Sequence, residues 1–158
     1  MKTKTHYWAV PLAVIAVAVL GSLATNVGMS WYYSLNTPDL TPPGSFIGTM
    51  WTIIFTLSTI ALILFYNSKT LSKDKNKALY SDAFITNAVL NVLWSVLFFG
   101  LNSPFMGLVC ILLLEASNIW IEVILWKKNK IAFALWLVYT AWVLVATYFN
   151  FMIWILNK

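Results

Sequence analysis

Residues 31–51 read WYYSLNTPDLTPPGSFIGTMW, and the rest of the chain is organised around this segment. Three aromatics, then Pro38 and the Pro42-Pro43 pair, lead into an apolar run that carries Trp51 one or two turns inside it. A short hairpin between membrane helices needs none of this chemistry, so the segment reads as an ordered cap over something. Pro42-Pro43 can preset the entry to the following helix, because proline is tolerated in a first helical turn.

Outward from this cap the chain is almost wholly apolar. Its 158 residues suit one domain by length. Hydrophobic residues make up 61% and charged residues 9%, with a mean hydropathy of +0.80. Soluble domains carry roughly 45–50% apolar and about 25% charged residues. That excess cannot be buried in a globular core, and the chain is expected to be an all-α integral membrane protein. Five apolar runs, approximately 7–27, 46–66, 81–99, 105–126 and 131–156, each supply the roughly 20 residues that cross a bilayer. No period-two alternation points to a barrel. The expectation is a five-helix transmembrane bundle forming a single domain over 1–158, with residues 28–45 as a Pro-rich first loop.

The first run has an alternative. Lys2 and Lys4, an apolar stretch and Ser22-Leu23-Ala24 also resemble a cleavable signal peptide, although 8–20 suits a retained helix. Membrane lipid is the expected surrounding in either case. The net charge of +5 comes without a single Arg, and the ten basic residues are lysines in or near interhelical segments. No base- or phosphate-recognising fork exists, so nucleic acid is not an expected partner. The lysines instead report orientation. Lys2, Lys4, Lys69, Lys73, Lys75, Lys77, Lys127, Lys128 and Lys130 fall on one side and only Lys158 on the other. The positive-inside rule then places the N-terminus inside and the C-terminus and cap outside.

One cysteine, Cys110, and one histidine, His6, leave no basis for a disulfide or a metal site. There is no nucleotide-binding glycine motif and no nucleophile–base pair. The chemistry must lie in polar and aromatic residues within the spans. Ala83, Asn87, Asn91 and Ser95 share one face of the third helix. Its two amides are either interhelical ties or the polar wall of a cavity beside Trp94 and Phe98. Glu115, mid-helix, is read first as a structural hydrogen bond and second as a ligand or proton site, with Glu122 as a solvated interfacial group. Among the nine tryptophans, Trp8, Trp31, Trp120, Trp126, Trp136 and Trp154 fit an interfacial belt. Trp51, Trp94 and Trp142 lie deeper and suit stacking on a flat apolar ligand. Trp142, Ala146 and Asn150 share a face on which Ala146 leaves room. Small residues on the first helix and Gly44…Gly48 are compatible with a homodimer but assign no face.

Trp31-Tyr32, Leu35, Pro38, Pro42-Pro43 and Trp51, continued by Asn91, Trp94, Phe98-Phe99-Gly100, Tyr139, Trp142 and Asn150, resemble the signature of the TspO/MBR family. These are the tryptophan-rich sensory proteins of bacteria and the translocator proteins, or peripheral benzodiazepine receptors, of mitochondria. The resemblance covers nearly the whole chain. It implies a five-helix bundle in the bacterial cell membrane with a pocket beneath the first loop. That pocket would bind a porphyrin (protoporphyrin IX or heme) or a similar planar apolar molecule, with no cofactor required. By the match, Trp51 and Trp142 face each other across it, and Tyr32, Ile47, Phe55, Asn91, Trp94, Ser95 and Ala146 complete the wall. Trp31, Pro38, Pro42 and Pro43 would form its lid. A light- and oxygen-dependent porphyrin degradation, with Trp51 and Trp142 as redox partners, is a second implied activity, and transport of porphyrin-like molecules a third. The chain departs from the family at Leu40, where a Trp is usual, at Cys110, where an Asp is usual, and at Val138, where a Pro is usual. No Lys or Arg follows Tyr139 closely, so a cholesterol motif is not predicted.

Overall fold

The computed structural model describes residues 5–72 and 75–158. Its order is α1 (His6–Tyr32), α2 (Gly44–Tyr66), a short α3 (Lys69–Ser72), α4 (Lys77–Ser95), α5 (Pro104–Lys128) and α6 (Lys130–Leu156). Among the described residues there is no strand, and α1, α2, α5, α6 and the combined span Lys77–Gly100 are each long and apolar enough to cross a membrane. In lipid a helix satisfies every backbone group within its own segment, which is why such apolar runs settle as helices.

The polar punctuation sets where helices stop. Ser103 caps α5 through its Oγ, which accepts from Met106 N at 3.3 Å, with Pro104 in the first turn. Asn129 ends one helix and starts the next. Its N–H donates to the Leu125 carbonyl at 2.7 Å, while its Oδ1 accepts from Ile131 N and Ala132 N at 3.0 and 3.1 Å. The α5–α6 connection is therefore one residue long, and the two helices run antiparallel as close neighbours. After Ser95, α4 widens into a π-helical turn, Val96–Gly100, closed by Leu101 N donating to the Val96 carbonyl at 2.8 Å. Asn102, at φ 53°, then reverses the chain.

α5 is the most enclosed span, and its polar residues tie three helices together. Asn118 is fully buried; its Oδ1 accepts from Asn87 Nδ2 on α4 at 2.9 Å and from Trp136 Nε1 on α6 at 3.1 Å. Asn87 Nδ2 also reaches Ser117 Oγ at 2.8 Å, and Asn118 Nδ2 donates to Glu115 Oε2 at 3.2 Å. Asn87 is thus an interhelical tie, and Glu115 serves this knot as a hydrogen-bond acceptor.

Several expectations change. α1 runs on to Tyr32 rather than ending near residue 27, and α2 begins at Gly44, so the first loop is 33–43 and not 28–45. The extension exists because Gly28 lets α1 lie directly on the π-helical turn: a Cβ at Gly28 would overlap the Phe99 carbonyl group. Pro43 is the N-cap of α2, with φ −59° and ψ 147°, rather than part of its first turn. Trp136 is no interfacial belt residue: it is 3% exposed, with its indole N–H held by Asn118. Glu122 is half-buried and accepts from the Thr140 hydroxyl on α6 instead of standing free in solvent. The belt description does fit Trp126, with Lys130 Nζ 2.7 Å from its ring centroid, and Trp8, which is exposed. Lys69, Lys75, Lys77, Lys127, Lys128 and Lys130 gather at one end of the bundle and Lys158 at the other, while Lys2, Lys4 and Lys73 lie outside the described residues.

The close approach at Gly28 predicts a sharp asymmetry among glycines. Gly28→Ala should destabilise the protein by about 1–3 kcal/mol through overpacking against backbone that cannot yield. Gly48→Ala, where a Cβ meets nothing within 4 Å, should be neutral or stabilise by up to about 1 kcal/mol. Thermal unfolding of both variants in one detergent checks this, and equal shifts would contradict the close approach.

Candidate functional site

A cavity of about 420 Å³ lies at the loop end of the bundle, between the C-terminal half of α1, the first half of α2, the end of α4 and the middle of α6. Tyr32, Ile47, Trp51, Phe55, Asn91, Trp94, Ser95, Trp142 and Ala146 all line it. These nine residues come from four helices. The i, i+4 spacing on α4 turns Asn91 and Ser95 to one face, and the same spacing on α6 sets Ala146 beside Trp142.

The walls are aromatic and mutually braced. The Trp51 ring lies 5.6 Å from Phe55, 6.2 Å from Trp94 and 6.2 Å from Tyr139. Trp94 stacks on Phe98 at 5.6 Å, and Phe98 meets Phe99 edge-on at 4.8 Å. Trp142 has Phe46 at 6.0 Å as its ring neighbour. Trp51 and Trp142 both line the cavity.

Hydrogen bonds fix this wall. Trp94 Nε1 donates to Asn150 Oδ1 at 3.0 Å, and Asn150 Nδ2 donates to the Pro104 carbonyl at 2.7 Å. Asn91 Nδ2 reaches the Tyr139 hydroxyl at 2.5 Å. Gly107 permits the α5 contact, because a Cβ there would come within 2.8 Å of Phe98 and 3.0 Å of Asn150 Oδ1. One group is left over. Trp142 Nε1 is buried and has no hydrogen-bond partner among the described residues.

The lid residues separate into different roles. Pro42 lines the cavity, while Trp31, Pro38 and Pro43 do not. Trp31 lies in the last turn of α1, edge-on to Phe98 at 5.6 Å, and so supports the wall from behind. The Pro38 carbonyl accepts from Thr41 N at 2.9 Å and Thr41 Oγ1 at 2.7 Å, which orders the turn. Leu40, where the family usually has Trp, is 82% exposed and covers nothing. The loop is tied down elsewhere: Asn36 N donates to Asn157 Oδ1 at 2.9 Å, and Asn157 Nδ2 returns to the Asn36 carbonyl at 2.8 Å.

The sequence did not single out this Asn36–Asn157 clasp, nor the share of α1 in the wall. Ala18, Gly21, Ser22, Thr25 and Met29 all face the cavity. Gly21 lies against Ser95, where a Cβ would stand at an ordinary contact distance of 3.4 Å from its Oγ. No carboxylate, lysine, histidine or cysteine lines the cavity among the described residues. The wall offers stacking surfaces, neutral hydrogen bonds and oxidisable indole rings, not an acid–base pair. Glu115 is outside it, and no cluster of metal-ligating side chains occurs among the described residues.

The TspO/MBR family model matches residues 9–155. The chain belongs to the TspO/MBR family. It is 36% identical over 147 residues to the tryptophan-rich protein TspO of Archaeoglobus fulgidus, covering 92% of this chain and 93% of that protein. It is 35% identical over 149 residues to that of Chlorobaculum tepidum, 90% of each chain. With the human translocator protein it shares 27% identity over 128 residues, 80% of this chain and 75% of that one. It is a multi-pass integral membrane protein of the tryptophan-rich sensory and translocator class.

Proposed function

We propose that this TspO/MBR protein binds a porphyrin, of the protoporphyrin IX or heme type, in the loop-end cavity. The observation that carries the reading is the pairing of flat aromatic walls with one buried, unpartnered donor, Trp142 Nε1. A buried N–H left without an acceptor is costly, and a planar ligand with acceptor atoms relieves that cost while its faces bury against the rings. Trp51, Phe55 and Trp94 supply the stacking side; Tyr32, Ile47, Ser95 and Ala146 shape the space; Asn91 is held by Tyr139. No cofactor takes part in this role. Protoporphyrin IX should quench the intrinsic tryptophan fluorescence saturably, and Trp51→Ala with Trp142→Ala should raise the dissociation constant at least about tenfold. Absence of saturation in the unmodified protein would rule the reading out.

A second reading rests on the aromatic contacts around Trp51. Its ring lies 6.2 Å from both Trp94 and Tyr139, two further oxidisable side chains. In this reading a bound, photo-excited porphyrin is degraded with oxygen as co-reactant, and Trp51 and Trp142 act as its redox partners. Illuminated, aerobic samples should then lose the porphyrin absorption band beyond one equivalent per protein, and Trp142→Phe should slow this by tenfold or more. Loss at the rate of free porphyrin in detergent would mean that the protein does not perform the reaction.

The lysine-rich end is proposed to face the interior of a bacterial cell, with the first loop and Lys158 outside. The support is the lysine asymmetry and the rule that cytoplasmic segments retain positive charge. In intact cells a membrane-impermeant thiol reagent should label Lys158→Cys but not Lys69→Cys, with buried Cys110 as a silent background.

A further inference from the structure

A second cavity, of about 470 Å³, lies toward the lysine-bearing end of the bundle. It is a wedge between the N-terminal half of α1 and the facing sides of α2, α4 and α6. Its cause is the way α1 is fastened. The two buried residues of this helix, Gly21 and Gly28, both lie beyond its midpoint, and the close backbone approach is at Gly28. Near its N-terminus α1 is tied again where His6 Nε2 meets Asn67 Oδ1 at 3.1 Å and Asn67 Nδ2 donates to the Tyr7 hydroxyl at 2.9 Å. Between the two fastenings α1 offers only small or branched apolar side chains, among them Ala9 and Ala13. Opposite stand Phe55, Phe84, Trp136 and Tyr139. Ile85 on the rim is 61% exposed, so the wedge opens sideways toward lipid.

Ser58, on the α2 wall, carries a buried hydroxyl without a hydrogen-bond partner among the described residues. Thr49, Thr52, Thr56 and Thr59 of the same helix each donate to the carbonyl four residues back, at 2.8–3.0 Å. Ser58 does not. It is 5% exposed, it lines the wedge, and its Oγ has no hydrogen-bond partner among the described residues. A second donor lies nearby: the Tyr139 hydroxyl accepts from Asn91 Nδ2, which leaves its own proton for another acceptor.

We propose that the wedge binds the ring of a membrane-dissolved quinone, with a carbonyl oxygen accepting from Ser58 Oγ, the ring among Phe55, Phe84 and Trp136, and the apolar tail leaving past Ala13 and Ile85. A phospholipid matches less well. Ser58 lies eight residues, about 12 Å along the axis, inside the Tyr66 end of α2. A phospholipid's ester groups belong at the edge of a hydrocarbon core roughly 30 Å thick, so only its acyl chain would lie against the hydroxyl. A quinone brings neutral acceptors, a flat apolar ring and a lipid-soluble tail, which is what this neutral, aromatic, laterally open wedge accommodates.

The test uses the full chain in detergent micelles with decylubiquinone, bound quinone being counted by its absorbance after gel filtration. Binding should saturate at about one per chain. Ser58→Ala should weaken it at least about threefold, and Ala13→Phe, introduced from the exposed side of α1, by tenfold or more. Leu112→Phe on the exposed face of α5 should behave as the unmodified protein. A photoreactive quinone should cross-link to peptides spanning 5–17 or 55–66, a measurement that needs no variant. The proposal is overturned by non-saturating binding, by unchanged affinity in both wedge variants, by cross-links confined to residues 29–51, or by mole-for-mole displacement with dipalmitoyl phosphatidylglycerol. Porphyrin is absent throughout, so neither result depends on what the loop-end cavity binds.

Discussion

The bundle depends on one fully buried amide. Asn118 is where α4, α5 and α6 meet, and its oxygen accepts from both Asn87 and Trp136. In lipid, no hydrophobic drive brings apolar helices together, and hydrogen bonds and close packing of small residues supply the specificity instead. Each bond is worth only about 1 kcal/mol. A shared acceptor, however, makes the three helices settle together, because loss of Asn118 would cost Asn87 one of its two N–H bonds and leave the Trp136 indole N–H unpaired at once. Asn150 repeats the device at the loop end, joining Trp94 on α4 to the Pro104 carbonyl at the start of α5.

The two fastenings of α1 decide where space is left. α4, α5 and α6 are knotted by side-chain hydrogen bonds, whereas α1 is held near its C-terminal end by backbone proximity at Gly28. The C-terminal half of α1 lines the loop-end cavity and its N-terminal half lines the lateral wedge. Phe55 and Asn91 line both, so a single side-chain layer separates them. The Asn91–Tyr139 hydrogen bond stiffens that layer.

Much of this was legible in the sequence because length and apolarity alone set the spans. The i, i+4 spacings on α4 and α6 set which residues share a face, and the nine residues singled out from them and from the family pattern line one cavity. What was not legible depended on distant partners. The extension of α1 over residues 28–32 needs Phe99, some seventy positions away, to come within touching distance of a glycine. Trp136 reads as an interfacial residue until Asn118 is seen to hold its N–H. Glu122 reads as solvated until Thr140 reaches it. The Asn36–Asn157 clasp joins the first loop to the C-terminal end across 121 positions and leaves no local signature.

Buried donors without partners complete the logic. Among the described residues two buried side-chain polar atoms lack a hydrogen bond, Ser58 Oγ and Trp142 Nε1, and each lines a different cavity. A bundle that pairs Asn87, Asn91, Asn118, Asn150, Trp94 and Trp136 so fully has the means to satisfy two more groups. Ser58 needs only the back-bond that four threonines of the same helix make. That it forgoes this bond within an apolar wall locates a cost, since an unmet donor at that depth has no water to turn to. The same reasoning applies to Trp142, whose neighbour Ala146 leaves space that a larger side chain would fill. Ser58 Oγ and Trp142 Nε1 thus stand one in each cavity wall, and the two proposed binding sites each rest on one of them.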